Sequence, residues 1–350
     1  MEVLKVLFGT VLNSIACNVK GFAMKRKAPA IVAFILFSQV IAAFGEPLTQ
    51  PLVPYLQSIS VTIKADRGQG SGVLVTRELK DKDGKPVKVN FVWTAAHVLS
   101  RLRKTRKVVD AKGQAKTVVE FKDAEIVQEI VDNGRRVGEI KMLAKVIKYS
   151  DATEGQDLAL LMIRKRAFTD DSAIFYDGKD NVVQIGTKLF HVGSLLGQFG
   201  ANSLTTGIVS QIGRIINIGS SGGGVVFDQT TVNAFPGSSG GGVFIAGGPN
   251  MEDHVGQYCG MIVRGAGETF NLVVPIRRMR SWAQAAGCLW AIENNPKNTP
   301  TLAELTSDKW VIENMGGGWH TGGQHEKAHG FHFWLRDWTQ PGAVLLLDKK

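Results

Sequence analysis

Three separate segments of the sequence carry side-chain types that together can hydrolyse an acyl bond. His97 follows an apolar run, and the two alanines before it leave room for an imidazole at a tight turn. Asp157 stands immediately before a second apolar run, and Ser239 lies within a glycine-rich segment. A serine hydroxyl is a weak nucleophile until a base within hydrogen-bond reach removes its proton. A histidine oriented by a carboxylate is such a base, so these residues predict nucleophilic catalysis if the fold brings them together.

The order and surroundings of these residues resemble the three signature motifs of the trypsin/chymotrypsin-like serine proteases. The matching motifs are Thr94-Ala-Ala-His97, Asp157-Leu-Ala-Leu160 and Gly237-Ser-Ser-Gly-Gly241. The order histidine, aspartate, serine is also that of the family, whereas other serine hydrolases use different orders. The resemblance covers about residues 58–294. It implies that His97, Asp157 and Ser239 form a catalytic triad and that the backbone amides of Gly237 and Ser239 form an oxyanion hole.

Within this family the chain is similar to the bacterial Deg-type proteases. The similarity depends on a glycine-rich segment, Gly193-Ser-Leu-Leu-Gly-Gln-Phe-Gly200, followed by Thr205-Thr-Gly-Ile-Val-Ser210. Deg-type proteases usually carry a peptide-binding module after the protease domain. Only about 55 residues follow that domain here, which is too few for such a module. The resemblance therefore does not extend to the regulation that the module provides.

Two positions depart from the family pattern. Ser238 precedes the nucleophile where trypsin-type zymogens have an aspartate that pairs with a newly cut N-terminus. We therefore expect no activation of that kind. Val263 stands where the family often has a serine that hydrogen-bonds the catalytic aspartate, so the carboxylate of Asp157 loses one partner and we expect modest activity.

The resemblance also implies where the side chain of the cleaved residue would bind. The expected pocket residues are Thr231, Phe235, Val263, Arg264 and Gly265. Residues 231–235 are all uncharged, so the pocket lacks the acid that an enzyme cleaving after Lys or Arg requires. We expect a preference for apolar or small side chains. Arg264 either faces solvent or favours acidic side chains near the cleaved bond.

A second serine, Ser221, competes with Ser239 for the role of nucleophile, because residues 219–225 nearly repeat residues 237–243. Three features favour Ser239. Pro236 precedes its motif, the upstream segment Phe227-Asp-Gln-Thr230 is similar to the strand that leads to the nucleophile in Deg-type enzymes, and enough predicted strands follow residue 241 to complete a second barrel.

The hydrophobic pattern from residue 58 onward predicts an all-β protein. Short apolar runs alternate with turns rich in Gly, Asp and Pro, and the chain contains 40 glycines. We expect two tandem six-stranded antiparallel β-barrels, at about 58–165 and 180–276, then a C-terminal helix at 276–293 and an irregular tail. The predicted strands are 61–63, 72–75, 89–93, 118–121, 141–148, 158–163, 182–185, 188–192, 204–212, 225–227, 242–246, 259–263 and 271–275.

The N-terminus predicts an exported protein, periplasmic or secreted. Lys25-Arg-Lys27 is followed by an apolar run to Phe44 and by small residues near Gly45, which is the pattern of a signal peptide. We therefore assign 1–45 to a leader, 46–295 to the protease domain and 296–350 to the tail. The alternative is an uncleaved anchor that would keep the protein at a membrane.

The remaining features favour no cofactor and no nucleic-acid partner. The chain has a net charge of +10, but no aromatic residues are interleaved with the basic cluster at 101–107. This cluster is either a solvated loop or helix end, or a contact for an anionic partner.

The tail holds His320, His325, His329 and His332, whose irregular spacing favours surface residues over a metal site. Cys259 and Cys288 form either one disulfide or two buried thiols.

These observations predict a serine-type endopeptidase that acts on proteins or peptides through an acyl-enzyme intermediate. Two alternatives remain at this point. One is a protease-fold binding protein with weak or no turnover, and the other is a membrane-anchored processing enzyme that acts on partner proteins.

Overall fold

The computed structural model describes residues 51–306 and 312–314, except 110–112, 114, 133, 153–155, 218–223, 266–268 and 294–298. The described residues belong to one compact unit, Gln50–Lys350. The predictions for the leader at 1–45, for Ser221 and for the four tail histidines lie outside the described residues. In the described part of the chain, no helix is both long enough and apolar enough to cross a membrane.

Eight strands make up the first half of the described chain. They are β1 (Ser60–Ala65), β2 (Gly68–Lys80), β3 (Pro86–Thr94), β4 (Arg103–Val109), β5 (Ala115–Phe121), β6 (Ala124–Asp132), β7 (Arg135–Ser150) and β8 (Leu158–Ile163). Six of them form an antiparallel sheet in the order β7-β6-β1-β2-β3-β8, and β7 also pairs with β8, so that the six strands form a ring. Strands β4 and β5 form a separate two-stranded ribbon.

Six further strands form a closed antiparallel barrel. They are β9 (Lys188–Leu195), β10 (Gly200–Asn217), β11 (Gly224–Thr230), β12 (Gly242–Gly247), β13 (Tyr258–Gly265) and β14 (Asn271–Pro275). Their order around the barrel is β10-β11-β14-β13-β12-β9. The prediction of an all-β chain with two six-stranded antiparallel units in tandem is confirmed.

Three sequence predictions differ from this arrangement. Residues 182–185 were expected to form a strand, but they belong to no strand; Val183 is buried there as part of a loop. The basic cluster at 101–107 was expected to be a loop or a helix end, whereas most of it lies in β4. Strand β6 was missed because its second half, residues 128–132, is largely exposed and its polar residues weaken the apolar pattern.

Three helices and one short strand complete the described chain. They are α1 (Leu52–Ser58), α2 (Ile276–Ala285), α3 (Leu302–Thr306) and β15 (Ile312–Asn314), which pairs in parallel with β7. Helix α2 was predicted to reach residue 293, but it ends at Ala285. Gly287 has a φ of +65°, a left-handed conformation that glycine readily adopts, and the chain then turns into a 3-10 helix at Leu289–Ala291. The carbonyls of Trp290, Ala291 and Ile292 accept hydrogen bonds from Arg77, which fixes this turn on β2.

Helix α2 packs back onto the first ring of strands. Trp282 of α2 meets Trp93 of β3 edge to face, with ring centroids 5.7 Å apart. Both side chains are almost completely buried. Cys259 and Cys288 are also buried, and both are free thiols, which resolves the alternative that the sequence left open.

Candidate functional site

Strand pairing brings His97 and Asp157 together. His97 lies in the 3-10 helix Ala96–Leu102, which begins two residues after β3, and Asp157 immediately precedes β8. Strands β3 and β8 are antiparallel neighbours with Thr94 opposite Ala159, so the end of one strand meets the start of the other. His97 Nδ1 lies 2.9 Å from Asp157 Oδ2 and 3.1 Å from Oδ1.

The environment of Asp157 keeps its carboxylate ionised. Its side chain is 3% exposed, whereas that of His97 is 37% exposed. Burial alone would raise the pKa of Asp157, but hydrogen bonds and charge from His97, including the backbone amide of His97 at 3.0 Å, outweigh burial and lower the pKa below its ordinary value. An ionised carboxylate can only accept hydrogen bonds, so Nδ1 carries the proton and Nε2 is left as the free acceptor of the imidazole.

A buried arginine on α2 holds the segment that carries Asp157. Arg278 Nε donates to the side-chain oxygen of Gln156 at 2.6 Å, and its NH2 group donates to the Gln156 carbonyl at 2.5 Å. Another nitrogen of Arg278 donates to the carbonyl of Val226 at 3.0 Å, and the guanidinium stacks on the Phe227 ring. Burial lowers the pKa of Arg278 to about 9, against the opposing effect of the Asp157 charge. Helix α2 and β11 thus fix the peptide unit that begins at Gln156.

Ser239 lies in the loop between β11 and β12, against the residues that lead to His97. The Ser71 amide donates to the Ser239 carbonyl at 2.8 Å. A methyl group added to Gly240, the next residue, would lie 2.3 Å from Thr94 Oγ1 and 2.1 Å from the Ser71 carbonyl oxygen. The described residues include no hydrogen bond between the Ser239 hydroxyl and the His97 ring, a contact that commonly tightens only when substrate is bound.

Two amides of this loop are free to bind an anion. The Pro236 carbonyl accepts from the Leu196 amide at 2.7 Å, and the Ser238 carbonyl accepts from the Gly241 amide at 2.9 Å. In a trans peptide the N–H points opposite to the carbonyl, so these contacts orient the amides of Gly237 and Ser239. Neither amide donates to any described residue.

Only glycine fits at position 237. Gly237 has a φ of +98°, which side chains rarely adopt. A Cβ at this position would also lie 2.3 Å from the Ser194 carbonyl oxygen and 2.5 Å from the Gly197 nitrogen. Gly237 therefore packs directly against the end of β9 and the glycine-rich turn that follows it.

A cavity of about 560 Å³ opens beside Ser239. It is lined by Ala234, Phe235, Pro236, Ser239, Ile262, Val263, Arg264, Gly265 and Asn271. Four of the five residues predicted for the substrate pocket are in this set, and Thr231 is not. The Thr231 side chain instead accepts a hydrogen bond from the Ile208 amide on β10. Sequence reasoning missed Asn271, although it faces Gly265 across the β13–β14 pair.

Val263 and Arg264 both line this cavity, and Arg264 also lies near the Asp157 carboxylate. Among the described residues, the Asp157 side chain accepts hydrogen bonds only from His97, and Val263 has no side-chain donor to add one. Arg264 is exposed and donates to the Ala152 carbonyl at 3.3 Å, and its charge also lowers the pKa of Asp157. The described part of the chain contains no cluster of three His, Cys, Asp or Glu residues able to hold a metal ion.

One family model and several solved structures are similar to this chain. The family model described as "trypsin-like peptidase domain" matches residues 70–248, just over half of the chain. Deg5 has a similar structure at 22% identity and a TM-score of 0.42, with 65% of this chain and 88% of Deg5 covered. The HtrA-type protease AlgW, solved with a tripeptide, is similar at 17% identity and a TM-score of 0.45, with coverages of 69% and 62%.

The Rv3671c protease of M. tuberculosis, in an inactive form, is similar at 15% identity and a TM-score of 0.44, with 67% of this chain and 91% of that chain covered. A search of curated proteins found no match. The match of the family model to more than half of the residues identifies this chain as a member of the trypsin-like peptidase family.

Proposed function

We propose that the protein is a serine endopeptidase that hydrolyses proteins or peptides, with Ser239 as nucleophile, His97 as base and Asp157 as the residue that orients His97. The observation that carries this proposal is the buried, ionised Asp157 bound to His97 Nδ1, together with a loop in which the amides of Gly237 and Ser239 donate to no described residue. Membership of the family supports peptide hydrolysis as the reaction class.

The reaction follows from these positions. The Ser239 oxygen attacks the carbonyl carbon of the scissile bond while His97 Nε2 takes the hydroxyl proton. The carbonyl electron pair moves onto oxygen, and the amides of Gly237 and Ser239 stabilise that oxyanion. Collapse of the intermediate breaks the C–N bond as His97 returns the proton to the leaving amine. Water then repeats the sequence on the acyl-enzyme, and Asp157 stabilises the charged imidazole at each stage.

Turnover of an unstructured protein substrate tests this proposal. We expect Ser239→Ala to lower kcat by more than about 10³-fold, because the triad acts as a unit. Ser221→Ala is the matched control and retains activity. Activity lost in Ser221→Ala and kept in Ser239→Ala would contradict the assignment.

The alternative of a binding protein with weak turnover is favoured by one observation, namely that the Asp157 side chain accepts hydrogen bonds from no described residue other than His97. A wild-type protein that binds the unstructured substrate without cleaving it would support this alternative.

We further propose that the protein is exported. The basic and apolar segments at 25–44 support this proposal. N-terminal sequencing of the protein from its native compartment tests it. A start at residue 46 supports release, whereas an intact N-terminus in the membrane fraction supports the anchored processing enzyme.

A further inference from the structure

Ser71 is a buried residue that links the first ring of strands to the nucleophile loop. It lies in β2 and is fully buried. Its hydroxyl donates to the Gly237 carbonyl at 2.7 Å and accepts from the Ser194 amide at 2.7 Å. Its own amide donates to the Ser239 carbonyl at 2.8 Å, and its carbonyl accepts from Thr94 Oγ1 at 2.7 Å. One residue therefore contacts β9, the strand that leads to His97, and two points of the loop.

The carbonyls that Ser71 binds alternate along the loop with the carbonyls whose hydrogen bonds orient the amides of Gly237 and Ser239. Four consecutive carbonyls of the loop, at residues 236–239, all accept hydrogen bonds. The Leu196 and Gly241 amides bind the carbonyls of Pro236 and Ser238, and Ser71 binds the carbonyls of Gly237 and Ser239. Ser71 thus supplies two of the four donors to these carbonyls, and both come from the opposite barrel.

We infer that Ser71 is a positioning residue for the oxyanion hole, an inference that rests on the proposed function. Loss of its hydroxyl leaves the Gly237 carbonyl and the Ser194 amide without a partner. The peptide unit between residues 237 and 238 then keeps one hydrogen bond to a described residue, from the Ser238 amide to the Phe235 carbonyl at 2.9 Å. Because this unit lies between the two peptide units that carry the amides of Gly237 and Ser239, its displacement misaligns both donors. Preorganised donors matter most where charge develops in the transition state, so the effect falls on kcat rather than on substrate binding.

The test compares Ser71→Ala with Thr62→Val. Thr62 Oγ1 hydrogen-bonds Ser194 Oγ at 2.5 Å within the same buried region, and the described contacts include no side-chain hydrogen bond from Thr62 to the nucleophile loop. Each variant removes one buried hydroxyl, so we expect similar decreases in Tm. A structural role alone would therefore affect both variants alike.

The kinetic readouts separate the two roles. We expect Ser71→Ala to lower kcat by about 10- to 100-fold with KM within about twofold of wild type, since complete removal of one donor costs about 10²- to 10³-fold and misalignment of the two donors weakens them without removing them. Inhibition by a peptide aldehyde, which forms an oxyanion in the same hole, weakens in parallel. Affinity for the corresponding product peptide stays unchanged. Thr62→Val keeps the kcat and the aldehyde affinity of the wild type.

Two outcomes would overturn the inference. One is a folded Ser71→Ala protein with the kcat of Thr62→Val, and the other is a decrease confined to KM. If Ser71→Ala does not fold, Ser71→Cys keeps the size of the side chain with a weaker donor, and an unchanged kcat in that variant overturns the inference as well. A wild-type protein without turnover would instead defeat the proposed function.

Discussion

Two opposing effects act on the pKa of the Asp157 carboxyl group. Its burial favours the neutral acid, yet the ring and amide hydrogen bonds from His97 favour the anion and prevail. Arg264 and Arg278 add positive charge near the carboxylate, and neither of them donates a hydrogen bond to it among the described contacts. Among the described residues, Asp157 alone therefore fixes the tautomer of His97.

We expect the cavity beside Ser239 to determine which side chain precedes the cleaved bond. Its lining is apolar or uncharged except for Arg264, which is exposed. A positive residue at this position repels Lys and Arg in the substrate and leaves an apolar surface for small aliphatic side chains. In a peptide library differing only at this position, we expect kcat/KM at least about tenfold higher for Ala, Val or Leu than for Lys or Arg. Equal or faster cleavage after Lys or Arg would refute this expectation.

The sequence predicted the residues with distinctive chemistry and missed those that act through position. His97, Asp157 and Ser239 stand in recognisable motifs, and four of the five predicted pocket residues line the cavity. Ser71 and Arg278 have no motif of their own. Ser71 meets Gly237 across 166 positions of sequence and Arg278 meets Gln156 across 122, so their contacts depend on the docking of distant elements.

Arg278 of helix α2 holds the residue before Asp157 in place by donating hydrogen bonds to Gln156. Arg278→Met removes the donors to Gln156 and Val226 and leaves buried carbonyls without partners. We expect the free energy of unfolding to decrease by about 3 kcal/mol and kcat/KM to decrease with it, because Asp157 follows Gln156 directly. Urea denaturation and peptide hydrolysis measure both quantities.

Arg280, on the same helix, is the matched control. It donates to Glu293, which is about half exposed, at 2.8 Å and to the Tyr176 carbonyl at 3.3 Å, and it makes no hydrogen bond to Gln156 among the described contacts. Arg280→Met should therefore cost less stability than Arg278→Met and leave kcat/KM unchanged. Equal kinetic losses in both variants would contradict a specific role for Arg278.

The lengths of the elements were less predictable than their types. The apolar face of α2 continues beyond residue 285, but the left-handed Gly287 ends the helix, and a local pattern does not reveal which glycine adopts that conformation. Strand β4 carries the basic cluster on an exposed ribbon, where no buried face produces an alternating pattern.

Across the whole molecule, a buried histidine should make folding sensitive to acid. His191 of β9 is fully buried, with Nδ1 at 2.9 Å from the Gly242 carbonyl oxygen. Burial lowers its pKa from 6.5 to about 4, although the hydrogen bond to Gly242 opposes this shift. The folded protein therefore keeps His191 neutral while the unfolded chain takes up a proton below pH 6.5. This contribution to stability is complete above pH 6.5 and is lost as the pH falls toward 4.

We expect wild type to lose about 3 kcal/mol more than His191→Gln between pH 7 and pH 4, as measured by the free energy of unfolding in urea. Glutamine retains an amide donor but does not titrate. The same pH dependence in both proteins would show that His191 does not contribute.

The two-barrel architecture follows from the alternation of short apolar runs and turns, which is why the sequence predicted it. The junction between the barrels does not follow from that pattern. There the 71–72 segment of one barrel meets the 236–241 loop of the other through backbone carbonyls, which every residue has and no sequence pattern distinguishes.

The central claim is that one serine, Ser239, becomes the acylated nucleophile. Mass spectrometry of the wild-type protein after reaction with a fluorophosphonate probe, followed by peptide mapping, tests it most directly. We expect a single adduct on Ser239, its formation abolished in His97→Ala and unaffected in Ser221→Ala. An adduct on Ser221, or a rate of labelling at Ser239 that is the same with and without His97, would contradict the account.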